Sequence, residues 1–181
     1  IEELLPYLNQ IKQIDGRMES IDEGQPFHVI VDFAHTPDGM EKVYQYAQNI
    51  TPEGSDIITV FGSAGKRDKA KRKVFGEIAD KYCDFIILTE DDPRDEDPRD
   101  IANTIKEGIK DTNTIFIENR YDAIRMAIES ANVQDTIMIL GKGDEEFMYR
   151  EDGRSPWMGD NNVAKEIIHK YYFNEVDEEN E

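Results

Sequence analysis

The chain has 181 residues, with 40 Asp or Glu against 21 Lys or Arg and a formal net charge of −19. That length closes one sizeable core, and 38% hydrophobic with 34% charged residues describes a globular, heavily solvated domain. The acid excess disfavours nucleic-acid phosphates and anionic membrane surfaces as partners, and no apolar run reaches the ~20 residues that span a bilayer.

Leu4, Leu5, Leu8 and Ile11 fall at helical spacing with Pro6 early, and predict a short amphipathic helix over residues 1–11. A helix this short is marginal alone and reads as a remnant of a preceding domain or as a linker. Phe27–Phe33 is an apolar, β-rich run. Pro37–Asn49 reads as a helix with Thr36 as N-cap and Pro37 in its first turn. Strands over Asp56–Phe61, Asp84–Thr89, Thr114–Ile117 and Thr136–Leu140 alternate with helices over Asp68–Tyr82, Pro98–Lys110 and Tyr121–Ala131. Phe147–Trp157 suggests a hairpin turning at Asp152-Gly153, and Asn161–Tyr171 is the last helix. Residues 12–172 thus form the domain, and 173–181, mostly acid, an expected disordered tail.

Continuous apolar strands separated by amphipathic helices imply an α/β, Rossmann-like, mostly parallel sheet with helices on both faces. Ligands of such sheets bind beyond the carboxyl ends of the strands. The segments there are Asp32–Asp38, Gly62–Arg67, Glu90–Asp97 and Gly141–Glu146, all rich in Gly, His, Arg, Lys or acid.

Gly62-Ser63-Ala64-Gly65-Lys66-Arg67 is a glycine-rich turn into a helix. It is no P-loop, because only two residues separate the glycines and Arg67 follows Lys66. It is either a tight turn with solvated cations or an anion site in which Arg67 clamps a carboxylate or phosphate. Glu90–Asp100 packs seven acids and two arginines into eleven residues. Asp95–Asp100 reads as an exposed charged loop. Asp91, Asp92 and Arg94 follow a buried strand directly and suit a ligand bearing both ammonium and carboxylate. In Gly141-Lys142-Gly143-Asp144-Glu145, Lys142 could meet a phosphate and Glu145 an ammonium. Of the histidines, His28 and His169 read as structural or exposed, and His35 as ligand-facing. No spacing suits a metal site, and the lone Cys83 admits no internal disulfide, which fits a reducing cytoplasm. No secretion signal is visible.

Five segments in order carry a resemblance: Gly16-Arg17-Met18-Glu19, Val31-Asp32-Phe33-Ala34-His35-Thr36-Pro37-Asp38, Val60-Phe61-Gly62 with Arg67-Asp68-Lys69 and Lys71-Arg72, Asp91-Asp92-Pro93-Arg94, and Gly141-Lys142-Gly143. Over roughly residues 12–171 the chain resembles the C-terminal domain of the Mur ligases, and within them the UDP-N-acetylmuramoyl-L-alanyl-D-glutamate:diamino acid ligases. The resemblance implies the last domain of a three-domain, ATP-dependent amide ligase of peptidoglycan synthesis that works through an acyl phosphate. The P-loop, the main Mg2+ ligands and the UDP-sugar site would lie in the N-terminal and central domains, so no catalytic residue is expected here. By the same resemblance Arg17 reaches the ATP phosphates, Asp32 the ribose, and His35 lies near the nucleotide. Arg67 holds the α-carboxylate of the incoming amino acid, Asp91, Asp92, Arg94 and Gly141 shape its pocket, and Glu145 meets the distal ammonium.

Two positions depart from the family pattern: Asp92 stands where Asn is common, and Asp144 where His is common. Arg94 argues for a distal carboxylate, hence meso-diaminopimelate. Asp92 and Asp144 favour a plain ammonium, hence L-lysine or ornithine. Repulsion between an arginine and a lysine ammonium tilts the balance to diaminopimelate. Another superfamily ligase, recycling peptides or adding polyglutamate, would share Arg17 and Asp32 without needing the Asp91–Arg94 set. A phospho-receiver module shares the α/β, acidic character but needs its acid pair after the first strand, where this chain has Asp32-Phe33-Ala34-His35.

Overall fold

The computed structural model describes residues 14–173. The helix expected over 1–11 and the acidic stretch from 174 lie outside them, and Phe173 still belongs to the last helix. The strands are β1 (Glu19–Ile21), β2 (His28–Asp32), β3 (Ile57–Phe61), β4 (Phe85–Leu88), β5 (Asn113–Phe116), β6 (Thr136–Leu140), β7 (Phe147–Arg150) and β8 (Gly153–Pro156). The helices are α1 (Pro37–Ile50), α2 (Ala70–Tyr82), α3 (Pro98–Lys106), α4 (Arg120–Ser130) and α5 (Asp160–Ile167), which widens into a π-helix over Ile168–Tyr172. Six strands form one sheet in the order β1-β2-β6-β3-β4-β5, and β7 and β8 form a separate hairpin. All pairs in the large sheet are parallel except β1 with β2.

The strands sort their residues between two cores with period two. Ile30, Ile57, Phe61, Ile86, Leu88, Met138 and Leu140 pack under α1, α2 and α3. Val29, Val31, Ile58, Val60, Ile87, Ile137 and Ile139 pack under α4 and α5. Burial on both faces is why these runs show no polar alternation in sequence. The expected α/β architecture is the one observed.

Local signals account for some element ends. The Thr36 hydroxyl accepts from Gly39 N–H with Pro37 at the first position, and Asp97 caps α3 in front of Pro98. Three details differ from the sequence expectation. β1 has no apolar run to announce it: Glu19 and Ile21 are buried and Ser20 is exposed. α2 begins at Ala70 because Asp68 turns its carboxylate onto Ala70 N–H. α3 ends at Lys106 because Gly108 then lies against α2, where a β-carbon would stand 2.0 Å from the Lys73 carbonyl.

The carboxyl ends of β2, β3, β4 and β6 all open on one edge of the sheet. α2, following β3, packs on one face. The chain leaving β6 returns as α5 on the other. Adjacent connections departing to opposite faces leave a crevice between them.

Candidate functional site

Close backbone packing builds this crevice. Gly65 N–H donates to the Asp92 carbonyl at 3.0 Å, and a β-carbon on Gly65 would lie 1.9 Å from the Pro93 carbonyl oxygen. A β-carbon on Gly141 would fall 2.4 Å from Asp91 Oδ2. These glycines are therefore required by contact between loops. Met18, Lys66, Asp92 and Arg94 adopt φ of 45°, 51°, 45° and 56°, a left-handed backbone that costs a non-glycine residue on the order of 1 kcal/mol or more. All four sit in the loops of this edge.

A cavity of about 510 Å³ lies among those loops. Its walls bring together His35, Arg67, Asp91, Asp92, Arg94, Gly141 and Glu145, seven of the nine residues singled out from sequence. Arg67 is exposed and makes no hydrogen bond or ion pair with any described residue. Arg94 donates through Nη1 to the Gly65 carbonyl at 2.8 Å and lies over the Tyr149 ring. Asp91 is buried, and no described residue donates a hydrogen bond to its carboxylate. Burial pushes its pKa up to about 6; Arg120 and Lys142 pull it down, while Asp92 and Asp160 push it up further.

Lys142 does not serve as a solvent-facing phosphate ligand. Its side chain is fully buried, and Nζ donates to Asp92 Oδ1 at 2.8 Å and Glu145 Oε2 at 2.7 Å. The extra charge of Asp92 is thus balanced inside the protein, and Asp92 also accepts from Tyr149 N–H. The Asp95–Asp100 loop is likewise more than a solvated run. Glu96 accepts from Lys66 N–H at 2.6 Å and from buried Arg72 at 3.1 Å. The Arg72 hydrogen bond, ahead of the others, holds its pKa near 2 despite an opposing desolvation. This clasp fixes the turn that presents Arg67.

Arg17 and Asp32 lie beside the cavity without lining it. Asp32 Oδ2 accepts from Met18 N–H and Oδ1 from Ala34 N–H, both at 2.7 Å. The Phe33 ring carries the Arg17 guanidinium 4.5 Å from its centroid and meets His35 edge-on. His35 Nδ1 donates to the Phe33 carbonyl at 3.0 Å. Glu19 anchors the turn below, accepting from Gly16 N–H, Asn161 and Lys165. One corner therefore gathers Arg17, Asp32 and His35, and Phe33 joins it to the cavity.

Residues 16–143 match the family model described as Mur ligase, glutamate ligase domain. The chain belongs to this Mur ligase family. It is 42% identical over 157 residues to the UDP-N-acetylmuramoyl-L-alanyl-D-glutamate--2,6-diaminopimelate ligase of Caldanaerobacter subterraneus, covering 86% of this chain and 32% of that protein. The enzyme of the same name from Fusobacterium nucleatum is 42% identical over 170 residues, with 93% and 34% covered. A solved structure of an enzyme of that name superposes with a TM-score of 0.80 at 30% identity, covering 93% of this chain and 34% of the other. The chain spans about a third of the length of these relatives.

Three residues of this Mur ligase domain have no counterpart among the sequence candidates. Arg120 is fully buried beneath the crevice, bidentate to Asp160, and donates to the carbonyls of Glu90 and Leu140. Lys71 lines the cavity and donates to the His35 carbonyl at 3.0 Å; burial lowers its pKa. Tyr149 reaches the wall from β7. Lys71 was within reach of sequence reasoning, in the first turn of the helix that follows the Gly62–Arg67 segment. Nothing local marks Arg120 or Tyr149.

Proposed function

We propose that the chain is the C-terminal domain of an ATP-dependent ligase that adds meso-2,6-diaminopimelate to UDP-N-acetylmuramoyl-L-alanyl-D-glutamate in peptidoglycan synthesis. The observation that carries the reading is one cavity in which unpaired Arg67 faces the same space as Asp91, Arg94 and Glu145. Two guanidinium groups with carboxylates between them complement a ligand bearing two carboxylates and two ammonium groups. L-Lysine would leave Arg94 opposite an ammonium. The names of the relatives agree with the larger substrate.

In this reading Arg67 takes the α-carboxylate of the incoming amino acid. Arg94 takes the distal carboxylate, and Asp91 and Glu145 the distal ammonium, with Lys142 limiting the net charge that Glu145 and Asp92 present. The domain's contribution is orientation: it holds the reacting amine at a fixed place relative to the activated carboxyl group. The nucleotide corner fits a ribose and phosphates. Arg17 is exposed, and each Asp32 oxygen keeps a lone pair beyond the N–H it accepts. Among the described residues no three His, Cys, Asp or Glu side chains gather as metal ligands, and Mg2+ would be held with the ATP phosphates by the preceding domain. That domain, the UDP-sugar domain and a cytoplasmic setting complete the reading. No helix among the described residues is long and apolar enough to cross a membrane.

The test is ADP release by the full-length enzyme given ATP, Mg2+ and the UDP-muramoyl dipeptide, with meso-diaminopimelate or L-lysine. Turnover with diaminopimelate and not lysine is expected. Turnover with lysine alone would reassign Arg94 away from the substrate, and turnover with neither would move the protein to another ligase of the superfamily.

A further inference from the structure

The hairpin β7–β8 follows the stretch matched by the family model, which ends at residue 143, yet it grips residues 90–94 all along their length. Arg150 is bidentate to Glu90, with Nη2 to Oε1 at 2.8 Å. Asp92 N–H donates to Met148 Sδ at 3.3 Å, and Tyr149 N–H donates to Asp92 Oδ1 at 2.9 Å. Arg94 N–H donates to the Tyr149 carbonyl at 3.0 Å. The Arg94 guanidinium then folds back over the Tyr149 ring, 5.2 Å from its centroid. Asp92 and Arg94, whose backbone N–H groups the hairpin takes, are the residues of this stretch in left-handed backbone, a conformation that persists where surrounding contacts over-determine it.

A free arginine on a loop samples many rotamers, and ordering it costs side-chain entropy. Here Nη1 is committed to the Gly65 and Asp92 carbonyls, and the Tyr149 ring covers one guanidinium face. Nε and Nη2 carry the N–H groups left for a ligand, the side-on pair that meets a carboxylate bidentately. The ring itself is fixed from its far end, where the Tyr149 hydroxyl accepts from Arg154 Nε at 3.1 Å and Nη2 at 2.9 Å. We infer that Tyr149 is a positioning residue for Arg94, and that the β7–β8 hairpin thereby sets the preference for an amino acid carrying a distal carboxylate. The inference deepens the ligase reading and rests on it.

The backbone hydrogen bonds of residue 149 survive substitution, so variants isolate the ring. In the full-length enzyme Tyr149→Leu keeps bulk and removes the aromatic face, while Tyr149→Phe keeps the face and removes the hydroxyl. Expected for Y149L is a rise of about tenfold in KM for meso-diaminopimelate, the loss of one ordered charge-assisted contact. KM for ATP should stay within about twofold, and the preference for diaminopimelate over L-lysine should fall by a similar factor of ten. Y149F should recover most of the loss. An unchanged diaminopimelate KM in Y149L would overturn the inference, as would parallel rises in both KM values or a Y149F enzyme as impaired as Y149L. Wild-type enzyme that turns over no diamino acid, or L-lysine alone, would overturn the substrate reading and this inference with it. Wild-type turnover of diaminopimelate that Y149L leaves intact overturns the role of Tyr149 only.

Discussion

Arg67 and Asp91 are cavity-lining side chains whose charged ends make no hydrogen bond with any described residue. Arg67 has no described partner, so its whole donor fork is available. Replacing it with Ala in the full-length enzyme should raise KM for the diamino acid by about 10- to 100-fold, the value of a charge-assisted bidentate contact. KM for ATP should stay within about twofold, which steady-state kinetics with each substrate varied would show. Asp91 should give the site a pH dependence. Its carboxyl titrates at about 6 because burial disfavours the charge, and an ammonium ligand needs the ionised form. Apparent KM for the diamino acid should therefore fall by about tenfold per pH unit as pH rises toward 6 and level off above it. The sign for stability is opposite. The unfolded carboxyl ionises near its ordinary 3.8, so between about 4 and 6 the folded state binds more protons, and stability declines as pH rises through that window. Asp91→Asn should flatten both curves, measured by kinetics and by thermal melts from pH 4.5 to 8. The residue types here were legible in sequence because each lies in the segment between a strand and the next helix. The opposite fates of Asp91 and Asp92 were not: one is left without a donor and the other takes the Lys142 side chain and the Tyr149 N–H, donors 50 or more positions away.

At the scale of elements, glycines divide into two kinds that look alike in sequence. Gly65 lets the 62–67 turn touch the 91–94 turn, whereas Gly76 lets α2 touch the end of α3. A β-carbon at Gly76 would sit 2.1 Å from the Ile105 carbonyl oxygen. Both substitutions with Ala overpack a backbone contact, and each should cost about 1–3 kcal/mol. Their functional effects should separate. Gly76→Ala should lower the melting temperature and leave KM for the diamino acid unchanged, because Gly76 itself does not line the cavity. Gly65→Ala should raise that KM as well, because Arg94 bonds the Gly65 carbonyl. Melting curves set beside kinetics of the two variants would decide. Helices α1 and α3 were foreseeable from their caps and proline, while β1 was not, since three residues cannot show a period.

Across the whole molecule, Arg120 is the tie between layers. From the first turn of α4 its guanidinium reaches Asp160 on α5, the Glu90 carbonyl just past β4 and the Leu140 carbonyl that ends β6. A fully buried pair is costly to break on one side, since the survivor is left charged without water. Asp160→Asn should lower the unfolding free energy by about 3–5 kcal/mol in urea titrations. The double replacement Arg120→Met with Asp160→Leu should cost less than Asp160→Asn alone.

Local pattern sufficed for the order of the strands after β1 and of the helices, for the two-faced parallel sheet and for the four loops at its carboxyl edge. Apolar continuity and capping chemistry act over a few residues and leave their mark in any short window. The tertiary structure alone decided that β6 lies between β2 and β3, and the rest of the site follows from that insertion. It brings the 141–145 loop against residues 91–94, buries Lys142 between two acids, and lays the 147–150 strand across Arg94. Contacts between segments this far apart depend on strand order, which no local periodicity encodes.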